Sequence, residues 1–424
     1  MAQEAAKQPG QAAPDSARIL NLDVLRGVAL LGILLMNILA FGLPAAGYFN
    51  PEIGTDAARW DHGLNLALWG LVDVTVEGSM RALFSMLFGA GLVLFTTGAS
   101  AKSQSLHYRR QLGLLLVGLV DGFLLLWSGD ILITYALCGM LLYPLRAAQP
   151  RALLQLALVV WLLLVASGAY LAVELERDRS GTTVEAVQQW SDFVLSVAPD
   201  QAAIDAELAA RLGSYHSSFH WNAQVLAETL LYGLPLFMFW DALLMMLIGM
   251  ALFRWGVLSG QRSRHEYQRM LLFGGGLGLL LNAGELLQRI VGSFDPLLLF
   301  PFLRPTYHLG RLGIALAWLA MVMLRCQAMS TSVAYRALGL RLAAVGRMAL
   351  SNYLLHSLLA IGLFAGVGLG LLDALNRWQL YLLVILVWGL QLVLSPLWLR
   401  YFRQGPVEWL WRWLTYGTRT PLRR

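Results

Sequence analysis

Charged residues are scarce in this chain. Asp, Glu, Lys and Arg make up 13% of its 424 residues, against 58% for the hydrophobic types, whereas a soluble domain is about 25% charged. A chain with so little charge cannot cover its apolar surface in water. The composition therefore excludes an ordinary soluble fold and predicts a membrane protein.

Several signatures of soluble enzymes are missing as well. The two cysteines, Cys138 and Cys326, are too few for a disulfide framework or a cysteine-based metal motif. No zinc spacing links the seven histidines, and GxSxG, P-loop and dinucleotide fingerprints are absent. The net charge of +6 comes without a basic patch interleaved with aromatic residues, so no nucleic-acid partner is expected. We therefore expect no metal and no redox chemistry.

Long apolar runs are what the sequence has instead. Within lipid, backbone polar groups must be satisfied internally, so runs of about 20 apolar residues predict membrane-spanning helices. Ten such runs fall near residues 24–43, 79–98, 111–127, 129–147, 151–173, 234–253, 270–291, 306–325, 342–370 and 379–402. The sequence thus predicts an all-α polytopic transmembrane helix bundle of about ten spans. The ninth run is long enough to be tilted, broken or re-entrant.

Charge in the connections predicts the orientation of the bundle. Cytoplasmic loops are enriched in Lys and Arg, and basic residues gather in 99–110, 146–151, 254–269, 326–347 and the C-terminal segment. The intervening connections are short or, like 44–63 and 174–222, acidic. An even number of spans with both termini cytoplasmic satisfies this pattern. We expect a multi-pass protein in the lipid bilayer of a bacterial inner membrane.

The chain divides into four predicted segments. Residues 1–17 form a polar tail that we expect to be disordered, 18–173 an N-terminal transmembrane half, 174–222 a periplasmic connector, and 223–424 a C-terminal half. In the connector, VEAVQQWSDFVLSV and AAIDAELAARL predict two amphipathic helices, which either link the halves or cover a site. The aromatic C-terminal tail is interpreted as an interfacial anchor or as a docking surface for a partner protein.

Polar side chains inside the first span are candidates for function, because a charge at bilayer depth costs at least about 2.5 kcal/mol. Asp23 and Arg26 lie at its predicted cytoplasmic end. Asn37 follows Arg26 by eleven residues, which returns it to within about 20° of the same stripe. A polar seam is therefore predicted along this helix.

The seventh span carries a second polar face. Asn282, Glu285 and Arg289 are spaced three and four residues apart, so they share one side of the helix. Glu285 and Arg289 either neutralise each other or contact a substrate.

The ninth span places Asn352 and His356 on one face. His356 is a candidate general base, because the histidine proton moves near neutral pH; the alternative is a hydrogen-bonded packing role. His62, in RWDHGLNLALWG outside the second span, is the other candidate base. Further isolated polar groups in or beside spans are Arg81, Asp121, Asp241, His308 and Arg311. If these faces converge, they form a polar cavity open to the outside.

Five segments carry a resemblance to a known family. They are LDVLRGVALLGILLMNILAF (22–41), LFSMLFGAGLVL (83–94), SGDILITYALCGMLLYPLR (128–146), GRMALSNYLLHS (346–357) and GPVEWLWRWLTYG (405–417). Over nearly its whole length the chain resembles the YeiB-like family of uncharacterised bacterial inner-membrane proteins. The resemblance implies a topology more than an activity.

A more distant similarity implies an activity. LDVLRG and the G-x-x-x-x-S-N-Y-x-x-H pattern look like parts of heparan-α-glucosaminide N-acetyltransferase and related membrane acyltransferases, which carry an acyl group from cytosolic acyl-CoA across the membrane. By that resemblance Arg26 lies at the CoA entry and a histidine supplies the base. His62 stands before a W-x-G-like run at a different spacing from that group, and family members often carry His at the position of Asp121.

Two classes of function follow. In the enzyme hypothesis, acyl-CoA or acetyl-CoA donates to a small-molecule, glycan or lipid acceptor; Arg26 binds CoA phosphate, His356 or His62 is the base, and Asn352 or Arg81 polarises the thioester carbonyl. In the transport hypothesis, Asp121, Asp241, Glu285 and Arg289 form a coupled site for a small molecule or lipid. A structural partner role and a homodimer are also compatible with the sequence.

Overall fold

The computed structural model describes residues 14–54, 63–97, 102–330, 332–419 and 421–424. Across these residues the regular structure is helical apart from an isolated bridge between Phe402 and Arg423. The predicted all-α class is confirmed.

The described residues form α-helices that we number α1 to α17 in chain order. They are α1 (Pro14–Gly42), α2 (Leu64–Thr75), α3 (Ser79–Thr96), α4 (Gln104–Leu119), α5 (Leu132–Leu142), α6 (Pro150–Ser180), α7 (Val184–Val197), α8 (Gln201–Arg211), α9 (Tyr215–Glu228), α10 (Phe239–Arg254), α11 (Arg264–Val291), α12 (Pro296–Leu299), α13 (Tyr307–Gln327), α14 (Val333–Arg347), α15 (Ala349–Phe364), α16 (Arg377–Tyr401) and α17 (Pro406–Tyr416). Two π-helical segments, Val120–Leu124 and Thr229–Met238, continue α4 and join α9 to α10.

Seven helical stretches in the described part of the chain are long and apolar enough to cross a membrane. They are Leu20–Gly42, Leu64–Thr96, Pro150–Ser180, Tyr215–Arg254, Arg264–Val291, Tyr307–Gln327 and Arg377–Tyr401, with shorter apolar helices at Leu132–Ala147 and Ala349–Phe364. These stretches overlap nine of the ten predicted spans, and the remaining one falls on α4 and its π-helical end. The total of ten spans and the cytoplasmic placement of the termini stay predictions.

The second stretch differs from the predicted span 79–98, because it begins at Leu64 and is broken between α2 and α3. Gly78 adopts a left-handed backbone conformation at the break, with φ of 65°. The last carbonyls of α2 keep partners: Trp318 Nε1 donates to Thr75 O at 2.9 Å, and Asn282 Nδ2 donates to Val74 O at 2.8 Å. The carbonyl groups of Val74 and Thr75 therefore keep hydrogen-bond partners although the helix ends there.

The helices before and after the connector form one bundle. α1 packs against α3, α14, α15 and α16, while α10 packs against α3 and α6. The α3 and α10 backbones approach closely at two glycines, since a Cβ on Gly89 would lie 2.2 Å from Met246 O and one on Gly249 would lie 2.1 Å from Met86 O. Small residues at such crossings are typical of membrane helices.

The connector covers the end of α1. α7 and α8 coincide with the two predicted amphipathic helices. Arg211, the last residue of α8, donates to Ala40 O, Phe41 O and Leu43 O at 3.1 to 3.2 Å. Its pairing with Glu207 at 2.6 Å completes the contact. These bonds fix the connector over the bundle, and a covering role for a site stays a prediction.

Candidate functional site

One end of the bundle holds a buried network of eight charged side chains. Its members are Asp73, Glu77, Arg81, Asp241, Glu285, Arg289, Arg304 and Arg311. Four are carboxylates and four are guanidinium groups, so the formal charges cancel. All of them are buried except Arg81, whose side chain is 27% exposed.

Arg311 lies at the centre of this network. Its Nε donates to Glu77 Oε2 at 2.7 Å, and its second amino group reaches Asn282 Oδ1 at 2.7 Å and Glu285 Oε2 at 3.2 Å. Glu77 is presented by the break between α2 and α3, where Gly78 leaves room: a Cβ there would lie 2.5 Å from Cγ of Arg311. The broken helix is therefore what brings a carboxylate to this guanidinium.

The pairing of Glu285 with Arg289, one of the two alternatives for these residues, is wrong. Glu285 accepts from Arg304 at 2.9 Å and from Thr306 Oγ1 at 2.7 Å, while Arg289 pairs directly with Asp73 of α2. The two residues share a helix face, but α2 and the segment before α13 supply nearer partners of opposite charge. Each charge is nevertheless neutralised, as the pairing hypothesis required.

Three residues predicted separately meet at the edge of the network. Arg81 lies 3.3 Å from Asp241 Oδ2, and Nδ1 of His308 lies 3.1 Å from Asp241 Oδ1. Arg81 also donates to the hydroxyl of Tyr307 at 3.0 Å. The arrangement is a histidine oriented by a carboxylate beside a guanidinium, the elements of acid–base and electrostatic catalysis.

The residues predicted from the sequence do not include three members of the network, Asp73, Glu77 and Arg304, or Tyr307, which contacts Arg81 and Glu77. Asp73 lies in the last turn of the apolar helix α2 and Glu77 in the turn that follows it. Two carboxylates four residues apart beside an apolar run are the signal that points to them. Residues 64–78 lie outside every span predicted from the sequence.

A cavity of about 260 Å³ adjoins the network, and we name it the Arg81 cavity. Arg81 lines it together with Asn37 of α1, Tyr48, Trp127 and Ile131. It lies at the end of the bundle predicted to face away from the cytoplasm.

The opposite end has a larger cavity of about 530 Å³, which we name the basic vestibule. Its charged lining consists of Asp23, Arg26, Lys102, Arg110, Arg347, Arg403, Glu408 and Arg412. Six of these side chains are cationic and two are anionic. Asp23 is engaged by Arg26 at 2.8 Å, so the vestibule keeps a strong excess of positive charge.

An apolar slot of about 180 Å³ continues from the vestibule. Arg26, Arg110 and Arg347 line both spaces. The deeper wall of the slot consists of Phe84, Leu87, Phe88, Leu114, Leu132, Tyr135, Leu350 and Tyr353. Together the two spaces suit an amphiphile with an anionic head and an apolar or acyl end.

The C-terminal helix α17 forms one wall of the vestibule. Glu408 accepts from the backbone N–H groups of Leu350 and Ser351 at 2.7 and 3.0 Å, and Ser351 Oγ accepts from Val407 N at 3.0 Å. Burial raises the pKa of Glu408, although these hydrogen bonds oppose the shift. Trp411 Nε1 donates to Arg110 O at 2.8 Å. The aromatic tail is thus part of the wall of the vestibule. Its roles as an interfacial anchor or a docking surface stay predictions.

A thin septum separates the slot from the Arg81 cavity. Tyr353 lines the slot and Trp127 lines the Arg81 cavity, and the indole N–H donates to the Tyr353 hydroxyl at 3.0 Å. The consecutive residues Ile131 and Leu132 line opposite sides. On α1, Arg26 lines the slot and Asn37 the Arg81 cavity, about 16 Å apart along the helix axis.

The predicted base His356 lies elsewhere. It packs between α15 and α16, with its Nε2 2.8 Å from Nε2 of Gln391, while Asn352 Nδ2 donates to Ser395 Oγ at 3.1 Å. Neither residue lines the vestibule, the slot or the Arg81 cavity. The partner of His356 is an amide, whereas a carboxylate orients His308, which favours the packing alternative for His356. His62 falls outside the described residues. Asp121, in the π-helical end of α4, is fully buried.

Comparison with known proteins finds relatives along the whole chain. The model of a protein family of unknown function, DUF418, matches residues 252–418. The chain is 34% identical to the uncharacterised protein YeiB of Escherichia coli (strain K12), over 95% of this chain and 98% of that protein. It is 30% identical to the uncharacterised protein YxaH of Bacillus subtilis (strain 168), over 96% of each.

Proposed function

The chain belongs to the YeiB-like family of membrane proteins, and from that premise we propose that it transfers an acyl group from cytoplasmic acyl-CoA to an acceptor on the far side of the membrane. One observation carries the proposal: a vestibule with an excess of positive charge leads through an apolar slot to a septum, behind which lies a second cavity that Arg81 and Asn37 line. A donor and an acceptor can therefore approach the same wall from opposite faces.

The donor's phosphates suit the vestibule. Guanidinium groups bind phosphate oxygens in a bidentate manner, and Arg26, Arg110 and Arg347 stand at the junction of vestibule and slot. With the phosphates there, the acyl thioester enters the slot and its apolar lining. This assignment keeps the predicted role of Arg26 and adds two arginines to it.

The chemistry belongs on the other side of the septum. Arg81, which lines the Arg81 cavity, polarises the thioester carbonyl as charge develops on its oxygen. His308 is buried behind Arg81, to which Asp241 links it, and it takes the proton of the acceptor hydroxyl or amine once the acceptor has reached it. The new C–O or C–N bond forms as the C–S bond breaks, and CoA leaves as the thiol after protonation. The septum, closed by the Trp127–Tyr353 hydrogen bond, has to part for this step. His308 replaces His356 in the role of base.

Binding of acetyl-CoA to detergent-purified protein tests the proposal. Titration calorimetry is expected to show saturable binding that Arg26→Ala weakens at least about tenfold, since a hydrogen bond to a charged group contributes about 1.5–3 kcal/mol. Arg336→Ala is the matched control, because Arg336 is exposed and lies outside the vestibule lining. Absence of saturable binding, or equal loss in both variants, overturns the proposal.

Proton-coupled transport is the second candidate. It is favoured by Asp121, which lies fully buried with both carboxylate oxygens lacking a hydrogen-bond partner among the described residues, since buried carboxyls in membrane helices often relay protons. In proteoliposomes carrying an entrapped pH dye, transport predicts proton flux on addition of substrate and its loss in Asp121→Asn. Acyl transfer predicts no such flux.

A further inference from the structure

Two histidines on α9 face each other outside the regions described so far. His216 and His220 are exposed and one helical turn apart. Their Nε2 atoms lie 3.1 Å apart, and their ring centroids are 4.3 Å apart. The two Nε2 atoms are therefore neighbours on the surface of the bundle.

The helix that carries them is firmly held. Ser214 caps its first turn by accepting from Ser217 N at 3.2 Å. Tyr215 donates to Leu124 O at 2.8 Å, and Asn222 Nδ2 donates to Gly122 O at 2.7 Å. The backbone under the two imidazoles is thus fixed before any ligand binds.

The spacing of the nitrogens suits a metal ion. With Zn–N bonds of about 2.0–2.1 Å, two ligand nitrogens lie about 3.3 Å apart on a tetrahedral ion and about 2.9 Å apart at a right angle. The 3.1 Å separation falls between these values. Neutral imidazole is a preferred ligand of zinc, copper and nickel. A direct hydrogen bond between the rings is the alternative use of the same geometry.

We propose that His216 and His220 chelate one divalent transition-metal ion through their Nε2 atoms. In the part of the chain that the structure describes, no group of three or more His, Cys, Asp or Glu residues is placed to hold a metal, so water completes the coordination and the ion exchanges readily. Helical periodicity places the two histidines together, although the sequence prediction found no zinc spacing.

Such a site acts on the wall of a neighbouring cavity. The opposite face of α9 contributes Ser218 and Asn222 to a small cavity of about 70 Å³, which Trp127 of the septum also lines. An ion that bridges two turns of α9 stiffens this wall. The proposed metal site does not depend on whether the protein transfers acyl groups.

The test uses the full-length protein in detergent, with no histidine tag. Titration with NiCl₂ and with ZnCl₂ is expected to show one ion per chain, and His216→Ala and His220→Ala are each expected to weaken binding at least tenfold. His265→Ala is the control, because His265 is an exposed histidine on α11. Equal elution volumes in size-exclusion chromatography establish that the variants are folded.

Electron paramagnetic resonance of bound Cu²⁺ supplies a second readout. Two coordinating nitrogens are expected in the unmodified protein and one in each single variant. No saturable binding, binding that survives both substitutions, or equal loss in His265→Ala overturns the proposal.

Discussion

The two ends of the bundle differ in how their charged side chains are paired. In the network around Arg311, four carboxylates face four guanidinium groups and every carboxylate contacts a cation. In the basic vestibule, six cationic side chains meet two carboxylates, one held by Arg26 and the other by the start of α15. Paired charge fixes helices to one another, whereas unpaired charge of one sign is available to a ligand.

Arg81 combines the two properties, because it is paired with a carboxylate and is also accessible to a ligand. It belongs to the neutral network and also lines a cavity. A residue with both properties can act on a substrate while the surrounding network holds it in place. The arginines of the network around Arg311 are therefore expected to stabilise the fold, and those of the basic vestibule to bind a ligand.

The largest effect is expected from breaking one pair of the network. Arg289→Gln leaves Asp73 without its direct partner in a buried site, which costs about 3–5 kcal/mol. The double variant Asp73→Asn with Arg289→Gln is expected to recover most of that loss, since no uncompensated charge remains. Thermal unfolding in detergent measures both. A double variant as unstable as the single one contradicts the account of this pair.

The next effect is expected in the vestibule, on binding instead of stability. Arg347→Gln should raise the Kd for acetyl-CoA about tenfold to a hundredfold, as expected for the loss of a charge-assisted contact of about 1.5–3 kcal/mol, with the thermal unfolding midpoint unchanged. Added salt should weaken binding to the unmodified protein. Arg336→Gln is the control. If Arg347→Gln unfolds the protein and leaves binding intact, the vestibule is structural.

A smaller effect is expected at the septum between the two regions. Tyr353→Phe removes the oxygen that accepts from Trp127 Nε1 and from Ile131 N. Leaving buried donors unsatisfied costs about 1–3 kcal/mol, to be measured by thermal unfolding. Tyr401→Phe serves as the comparison, because Tyr401 is 71% exposed. Equal stability of the two variants would show that the septum bonds contribute nothing.

The smallest effect concerns the pH dependence of the α17 wall. Because burial raises the pKa of Glu408 above its ordinary value of 4.5, the packed state binds the proton more tightly than the detached state. Packing of α17 is therefore expected to weaken as pH rises from 4.5 through the raised value. Hydrogen exchange of α17 amides, corrected for the intrinsic rate, measures this, and Glu408→Gln should be insensitive to pH. If the pH dependence of exchange persists in Glu408→Gln, a group other than Glu408 is responsible for it.

The fold class and most of the charged residues of the network follow from the sequence, but their partners do not. Periodicity puts Glu285 and Arg289 on one face of α11, yet it carries no information about how α2 and α13 are rotated against that face. Asp73 and Glu77 were not predicted because the predicted second span begins at residue 79, whereas the apolar stretch begins at Leu64 and is broken between α2 and α3. His356 looked catalytic because its chemistry is visible in the sequence, while its packing against Gln391 is not.

In the proposed reaction an acyl group crosses the bundle while its CoA carrier stays on the vestibule side. Sealed inside-out vesicles that enclose an extract of envelope glycans and lipids, supplied externally with acetyl-labelled CoA, test it directly. We predict that label appears on enclosed acceptors while CoA remains outside, and that Arg81→Ala abolishes the transfer. Entry of intact CoA into the vesicles, or no protein-dependent labelling of any acceptor, would contradict the account.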